Sequence, residues 1–310
     1  MNGPPSSLVR AAVSQDDADA TDAWRTWRMA VDIQQLTWPE LQTVPVLPGL
    51  RLQEWLAGDP AAAVLKGIVR RSWSEAQVRL AMVQQAAHAL TRAGCDSVTV
   101  VGSAGQYLRT LGSDRVRPIP EIRLLVRRAE LAIAAAALQA EGWEMECALP
   151  LGEALDWSTN IPSTRNGVKL YLHWRVLRIP ASDATACETE FLSQHSIVEA
   201  LGAAFRILAP GHALLEALAE RHESTDVAPW QADAAMIARQ EIDWALWAPA
   251  ARKYLPQVIE RLSELRAMGL DLPSLPEPPV QAEKVWRRGS AWAGVAGRFA
   301  RRMRAAIGGK

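Results

Sequence analysis

The chain is short of the side chains that build recognisable metal and redox centres. Its three cysteines, Cys95, Cys147 and Cys187, are odd in number and widely spaced. Such spacing supplies neither a disulfide framework nor a zinc site. They read as small buried side chains in a reducing compartment. The five histidines, His88, His173, His195, His212 and His222, show no H-E-x-x-H or similar ligand spacing. Tyrosine and phenylalanine number three each, so the aromatic work falls to thirteen tryptophans scattered along the chain. That scatter suits core packing and offers no stacking platform for bases, which disfavours nucleic acid as a partner. No apolar run reaches the 18 or so residues of a membrane span, and the first twenty residues lack a signal-peptide core. The expected location is the cytoplasm.

Net charge is also missing, with 34 basic residues against 34 acidic. The balance hides an asymmetry. Residues 284–310 hold eight basic side chains and no acid, which leaves the first 283 residues with 26 basic and 34 acidic. Trp292, Val295, Phe299 and Met303 are spaced along one helical face, with Arg298, Arg301, Arg302 and Arg304 beside or opposite it. A basic tail carrying Trp292 and Phe299 points to an unidentified protein partner or an anionic membrane surface. The cytoplasmic assignment therefore extends to membrane association.

Periodicity divides the chain into six parts. Residues 1–21 are polar and read as a loose arm. Residues 22–94 read as helical: Asp22 suits a cap, and a long helix after Trp73 is capped by Ser74 and carries Val78, Met82, Ala86 and Leu90 at fourfold spacing. Residues 95–190 form an α/β core. It holds strands at Ser97–Val101, Glu121–Val126 and Val168–Arg175, a short helix over 103–111 and an alanine-rich helix over 129–142. Residues 191–270 read as helical, 271–283 as a proline-rich linker, and 284–310 as the basic amphipathic tail. The expected class is α+β, a small mixed sheet enclosed by N- and C-terminal helices.

The chemistry is concentrated in the core. Nucleotidyl transfer needs helix-terminal amides for phosphate and carboxylates for Mg²⁺, which prefers oxygen ligands. Residues two apart on a strand share a face, so an Asp-x-Asp pair serves one metal, with a third acid arriving from a neighbouring strand. Here VTVVGSAGQYL runs from a strand through Gly102-Ser103 into a helix. PEIRLLV places Glu121 and Arg123 on one face, and VKLYLHWRV does the same for Tyr171 and His173. No G-x-S-x-G elbow surrounds Ser103, which reads as a helix cap.

The order of these segments resembles the uncharacterised bacterial nucleotidyltransferases. That family has a Lys-Gly after its first strand and helix, an Asp-Ile-Asp-Leu-Leu-Val second strand and an Asp-Leu-His-Trp third strand. The resemblance extends over about residues 22–270, through LAPGHALL (208–215), Trp230-Gln-Ala-Asp233-Ala234 and Asp243-Trp244. It implies a nucleotide held at Gly102 and Ser103, and catalytic positions at Glu121, Arg123, Tyr171 and His173. The departures fall on the functional positions. Val101 stands for the lysine, Glu121 for the first aspartate, Arg123 for the second and Tyr171 for the third. Arginine stays protonated and repels Mg²⁺, so Glu121 is at most a lone metal ligand. The resemblance thus implies a degenerate member that needs no cofactor and binds or scaffolds in a bacterial biosynthetic pathway. The competing expectations are an active enzyme using Mg²⁺ and an NTP, and a peripheral-membrane adaptor.

Overall fold

The computed structural model describes residues 6–146, 158–177, 179, 181–219, 230–255, 257–273 and 275. The tail residues Trp292, Arg298, Phe299, Arg301 and Arg302 lie outside the described residues. The compact unit described below is Met1–Leu272.

The chain enters through two helices, α1 (Ser6–Val13) and α2 (Asp17–Ala30). The expected loose arm is therefore corrected. Leu8, Val9, Ala11, Ala12 and Val13 are all buried, because α1 presents this apolar set to α2 and to a later helix. The cap of α2 is Asp16, which accepts the Asp19 amide at 2.8 Å, and Asp22 lies inside the helix. Short helices α3 (Trp38–Thr43) and α4 (Gly49–Trp55) follow.

The long helix α5 runs from Ala62 to Arg92, starting well before the expected cap at Ser74. Ser74 is thus an interior residue. The buried stripe is Ala76, Leu80, Val83, Ala86 and Leu90, while Val78 is exposed. A stripe at spacings of three and four follows the 3.6-residue turn, whereas a strict spacing of four drifts around the helix.

β1 (Thr99–Val101), α6 (Gly102–Arg109) and β2 (Ile122–Leu125) follow. Helix α7 (Leu131–Ala140) leads to β3 (Glu144–Met145), and the hairpin β4 (Asn160–Arg165) and β5 (Val168–His173) comes next. Then come α8 (Ala181–Ser193), β6 (His195–Ala200) and β7 (Ala203–Leu208). The helical reading of 191–270 fails at this hairpin. Leu201-Gly202, both at positive φ, make a two-residue turn, and Val198, Phe205 and Ile207 supply the β-branched and aromatic residues of strands. The chain closes with α9 (Pro210–Ala219), α10 (Trp230–Ala238), α11 (Trp244–Tyr254) and α12 (Val258–Ala267).

The strands form one mixed seven-stranded sheet in the order β3-β4-β5-β2-β1-β7-β6. β2 pairs antiparallel to β1 and parallel to β5, and β1 pairs parallel to β7. The class is α+β, with a sheet wider than the expected few strands. One sheet face carries Val100, Ile122, Leu124, Leu170 and Leu172 into a core shared with Leu80, Val83 and Leu90 of α5 and Leu131 and Leu138 of α7. Trp143 and Trp174 are among the largest fully buried side chains, whereas Trp38 and Trp73 are half exposed. No described helix is long and apolar enough to cross a membrane.

Candidate functional site

Side chains alternate along a strand, so the residues skipped by the core point to the opposite face. On β2 that residue is Arg123. Its register partners are Val101 on β1 and Tyr171 on β5. The three adjacent strands therefore align the three main departures from the nucleotidyltransferase pattern in one cross-strand row. His173 lies one residue pair further along β5, its ring 6.4 Å from that of Tyr171. Burial raises the Tyr171 phenol above its ordinary value, with the Glu121 charge adding to the effect. Tyr171 stays a neutral hydroxyl at pH 7 and is a poor ligand for a hard cation.

Glu121 sits at the foot of β2 and is 2% exposed. Its Oε1 accepts Arg123 Nε at 2.6 Å, and Arg123 Nη2 lies 2.5 Å from the same oxygen. Two donors on one carboxylate oxygen make a short, charge-assisted contact. The guanidinium thus takes the carboxylate oxygen that a cation would need, and brings a fixed positive charge with it.

The N-terminus of α6, where the resemblance implies a nucleotide, is filled in the same way. Gly102 opens α6 at φ 63°, a left-handed conformation that glycine adopts without a steric penalty. It also lies under Arg123: a Cβ at Gly102 would sit 2.7 Å from Arg123 Cδ. The Gly102 amide donates to Glu216 Oε1 on α9 at 2.8 Å. A helix N-terminus favours an acceptor of its free amides, and here a carboxyl group of the chain itself takes that place. Ser103 is not the cap of α6, since Val101 holds that position and makes no side-chain cap bond. Being inside the first turn, Ser103 instead donates from Oγ to the Glu121 carbonyl at 3.3 Å, tying α6 to β2. Gly105 completes the fit, because a Cβ there would stand 2.8 Å from the Val100 carbonyl oxygen.

Glu216 is the participant that sequence reasoning missed. Burial pushes its carboxyl up to about 7, against the opposing pull of Arg123, the Gly102 amide and Arg109. A single acid inside HALLEALA is a detectable signal, because an acid on the buried face of an apolar helix needs a partner. Arg109, on α6, donates to Gln240 Oε1 at 2.9 Å and to the Leu208 carbonyl, and burial brings it down to about 10. Arg117 and Asp233 form a second buried pair, bidentate at 2.7 and 2.8 Å. This pair ties the loop before β2 to α10.

The cluster therefore gathers Gly102, Ser103, Glu121, Arg123 and Glu216, with Tyr171 and His173 beside it on β5. These residues do not fit a Mg²⁺ pair. Among the described residues no group of three or more His, Cys, Asp or Glu side chains could hold a metal ion. Asp114 is elsewhere, accepting the Leu50 amide at 3.2 Å through Oδ2. Asp156 lies outside the described residues.

A family model described as uncharacterised nucleotidyltransferase matches residues 53–261, about two-thirds of the chain. Comparison with curated proteins finds no match. The matched span runs from the end of α4 to the start of α12 and takes in the whole sheet, the Gly102 turn and the Arg123 row. With its strand–turn–helix, its second-strand pair and its third strand all inside that span, the chain belongs to the uncharacterised nucleotidyltransferase family.

Proposed function

We propose that this protein keeps the nucleotidyltransferase fold and works by binding, as a partner or scaffold protein, without Mg²⁺-dependent nucleotidyl transfer. One observation carries the reading. Arg123 stands at the second carboxylate position, paired with the only acid left in the motif, Glu121, at 2.6 Å. Glu216 on the Gly102 amide supports it from the phosphate side. The proline-rich and basic segments after residue 270 supply a separate contact to a protein partner or an anionic bilayer.

The test is calorimetry with Mg²⁺ and ATP, together with an assay for pyrophosphate release. The expected result is no Mg²⁺-dependent heat and no pyrophosphate. Tight Mg²⁺-dependent ATP binding, lost in Glu121→Ala, overturns the reading. One feature favours a second reading, an enzyme that transfers a nucleotidyl group from an NTP. Arg123 is both the ion-pair partner of Glu121 and a charge acting on Glu216, so rotating that side chain away releases both carboxyl groups. Under this reading pyrophosphate release appears and disappears in either Glu121→Gln or Glu216→Gln.

A further inference from the structure

Three arginines from separate elements converge on one cavity outside the Gly102 site. Arg51 comes from α4, Arg115 from the loop after α6, and Arg239 from the end of α10. The cavity has a volume of about 340 Å³, and Asp114 also lines it. That size is at the lower end of small-molecule sites.

Part of this charge has a structural explanation. The carbonyls at the C-terminus of α1 and just beyond it carry the negative end of the helix dipole. Arg115 Nη1 donates to Ala12 O at 2.8 Å and Val46 O at 3.2 Å, and Arg239 Nη2 donates to Val13 O at 3.2 Å. Arg51 Nη1 donates to Ser14 O at 2.9 Å, and Arg51 also pairs with Asp17. Arg115 and Arg239 have no carboxylate ion-pair partner among the described residues, and both line the cavity. Burial brings Arg115 down to about 10, with Arg239 and Arg51 repelling it and Asp114 opposing them. Arg239 is lowered by burial and by Arg51 in the same way. Like charges held in a concavity raise the local potential, and a bound anion relieves it.

The geometry points to a binding site for a small free molecule bearing a phosphoryl or diphosphoryl group, seated between Arg51, Arg115 and Arg239. A carboxylate is satisfied by one guanidinium fork. Arg115 and Arg239, without carboxylate partners, bring two forks from two elements beside the Asp17-paired Arg51, which exceeds a carboxylate's need and suits phosphate oxygens, which project in three dimensions. The site is independent of whether the Gly102 cluster is catalytic.

Titration of inorganic pyrophosphate into the full-length protein, by calorimetry at physiological ionic strength, tests the site. Saturable one-to-one binding is expected, weakened about tenfold in Arg239→Gln and unchanged in the remote exposed variant Arg70→Gln. Arg239 follows the last turn of α10 and makes a single backbone bond, so the thermal midpoint of Arg239→Gln should match wild type and keep the comparison interpretable. Asp114→Asn removes the opposing charge and should tighten binding. Unsaturable heat, or equal affinity in wild type and Arg239→Gln, overturns the site. Citrate binding as tightly as pyrophosphate overturns the phosphoryl assignment.

Discussion

The amide of Gly102 donates to Oε1 of Glu216 across 114 residues of sequence, at 2.8 Å. This bond puts a carboxyl group of the chain at the N-terminus of α6, where the family resemblance implies a nucleotide. Burial holds that carboxyl at about 7, against 4.5 for an ordinary glutamate. The folded state therefore binds the proton more tightly than the unfolded state. The stabilisation is fully present below about pH 4.5 and is lost as pH rises through about 7. A shift of this size corresponds to roughly 3 kcal/mol over the window. Glu216→Gln keeps an acceptor for the amide and removes the titration. Urea unfolding from pH 4.5 to 7.5 should show the stability difference, wild type minus Glu216→Gln, falling with pH. A flat difference would remove the buried-acid account.

Gly102→Ala should destabilise the protein by about 1–2 kcal/mol from its left-handed φ alone. The added methyl also meets Arg123 Cδ at 2.7 Å. Combining it with Arg123→Ser should recover the steric part and leave the backbone part. A double-mutant cycle on unfolding free energies reads the two separately, and strict additivity would show that Arg123 does not lie over Gly102 in solution.

How far the site could be read from sequence depends on whether its contacts are local. The Glu121–Arg123 pair is a two-residue relationship on one strand, and period-two alternation reveals it. The alignment of Val101, Arg123 and Tyr171 needs only the assumption that three strands are neighbours. Glu216 is different: it reaches Gly102 through the packing of α9, and no local pattern encodes that distance. The β6–β7 hairpin was hidden for a related reason. HSIVEALGAAFRIL has alanines and a leucine at its turn, so its strand signal is diluted, and pairing with β1 decides its structure. In the N-terminal segment a short polar flank, with its acids at 16, 17 and 19, masks the apolar set at 8, 9 and 11–13 that α1 buries.

Arg117 and Asp233 are 1% and 3% exposed at their side chains, and their bidentate contact spans 116 residues. Asp233→Ala leaves a guanidinium buried without its carboxylate, so it should cost about 3–5 kcal/mol. Asp233→Asn keeps one acceptor for Arg117 and should cost less. Chemical denaturation with fluorescence detection orders the variants. Because the pair joins the loop before β2 to α10, its loss should also quicken amide exchange in β2. A cost below 1 kcal/mol for the alanine variant would mean the pair is solvated.

The N-terminal helix separates two pictures of the chain. As a polar arm, residues 6–13 could be cut without effect. As a core element they could not, because Leu8 is fully buried and α1 packs on both α2 and α10. Leu8→Ala removes three carbons from a closed site and should cost about 2–4 kcal/mol. Arg10→Ala, on the exposed side, loses only a half-exposed pair with Asp19 and should cost under about 1 kcal/mol. The contrast between the two substitutions is the measurement. Deleting residues 1–14 should do more than either, since it also takes away the carbonyls of Ala12, Val13 and Ser14. Without those acceptors, Arg51, Arg115 and Arg239 face one another with less to offset their repulsion. The truncated chain should therefore regain part of its thermal stability when pyrophosphate is added, and by a larger increment than the intact protein does.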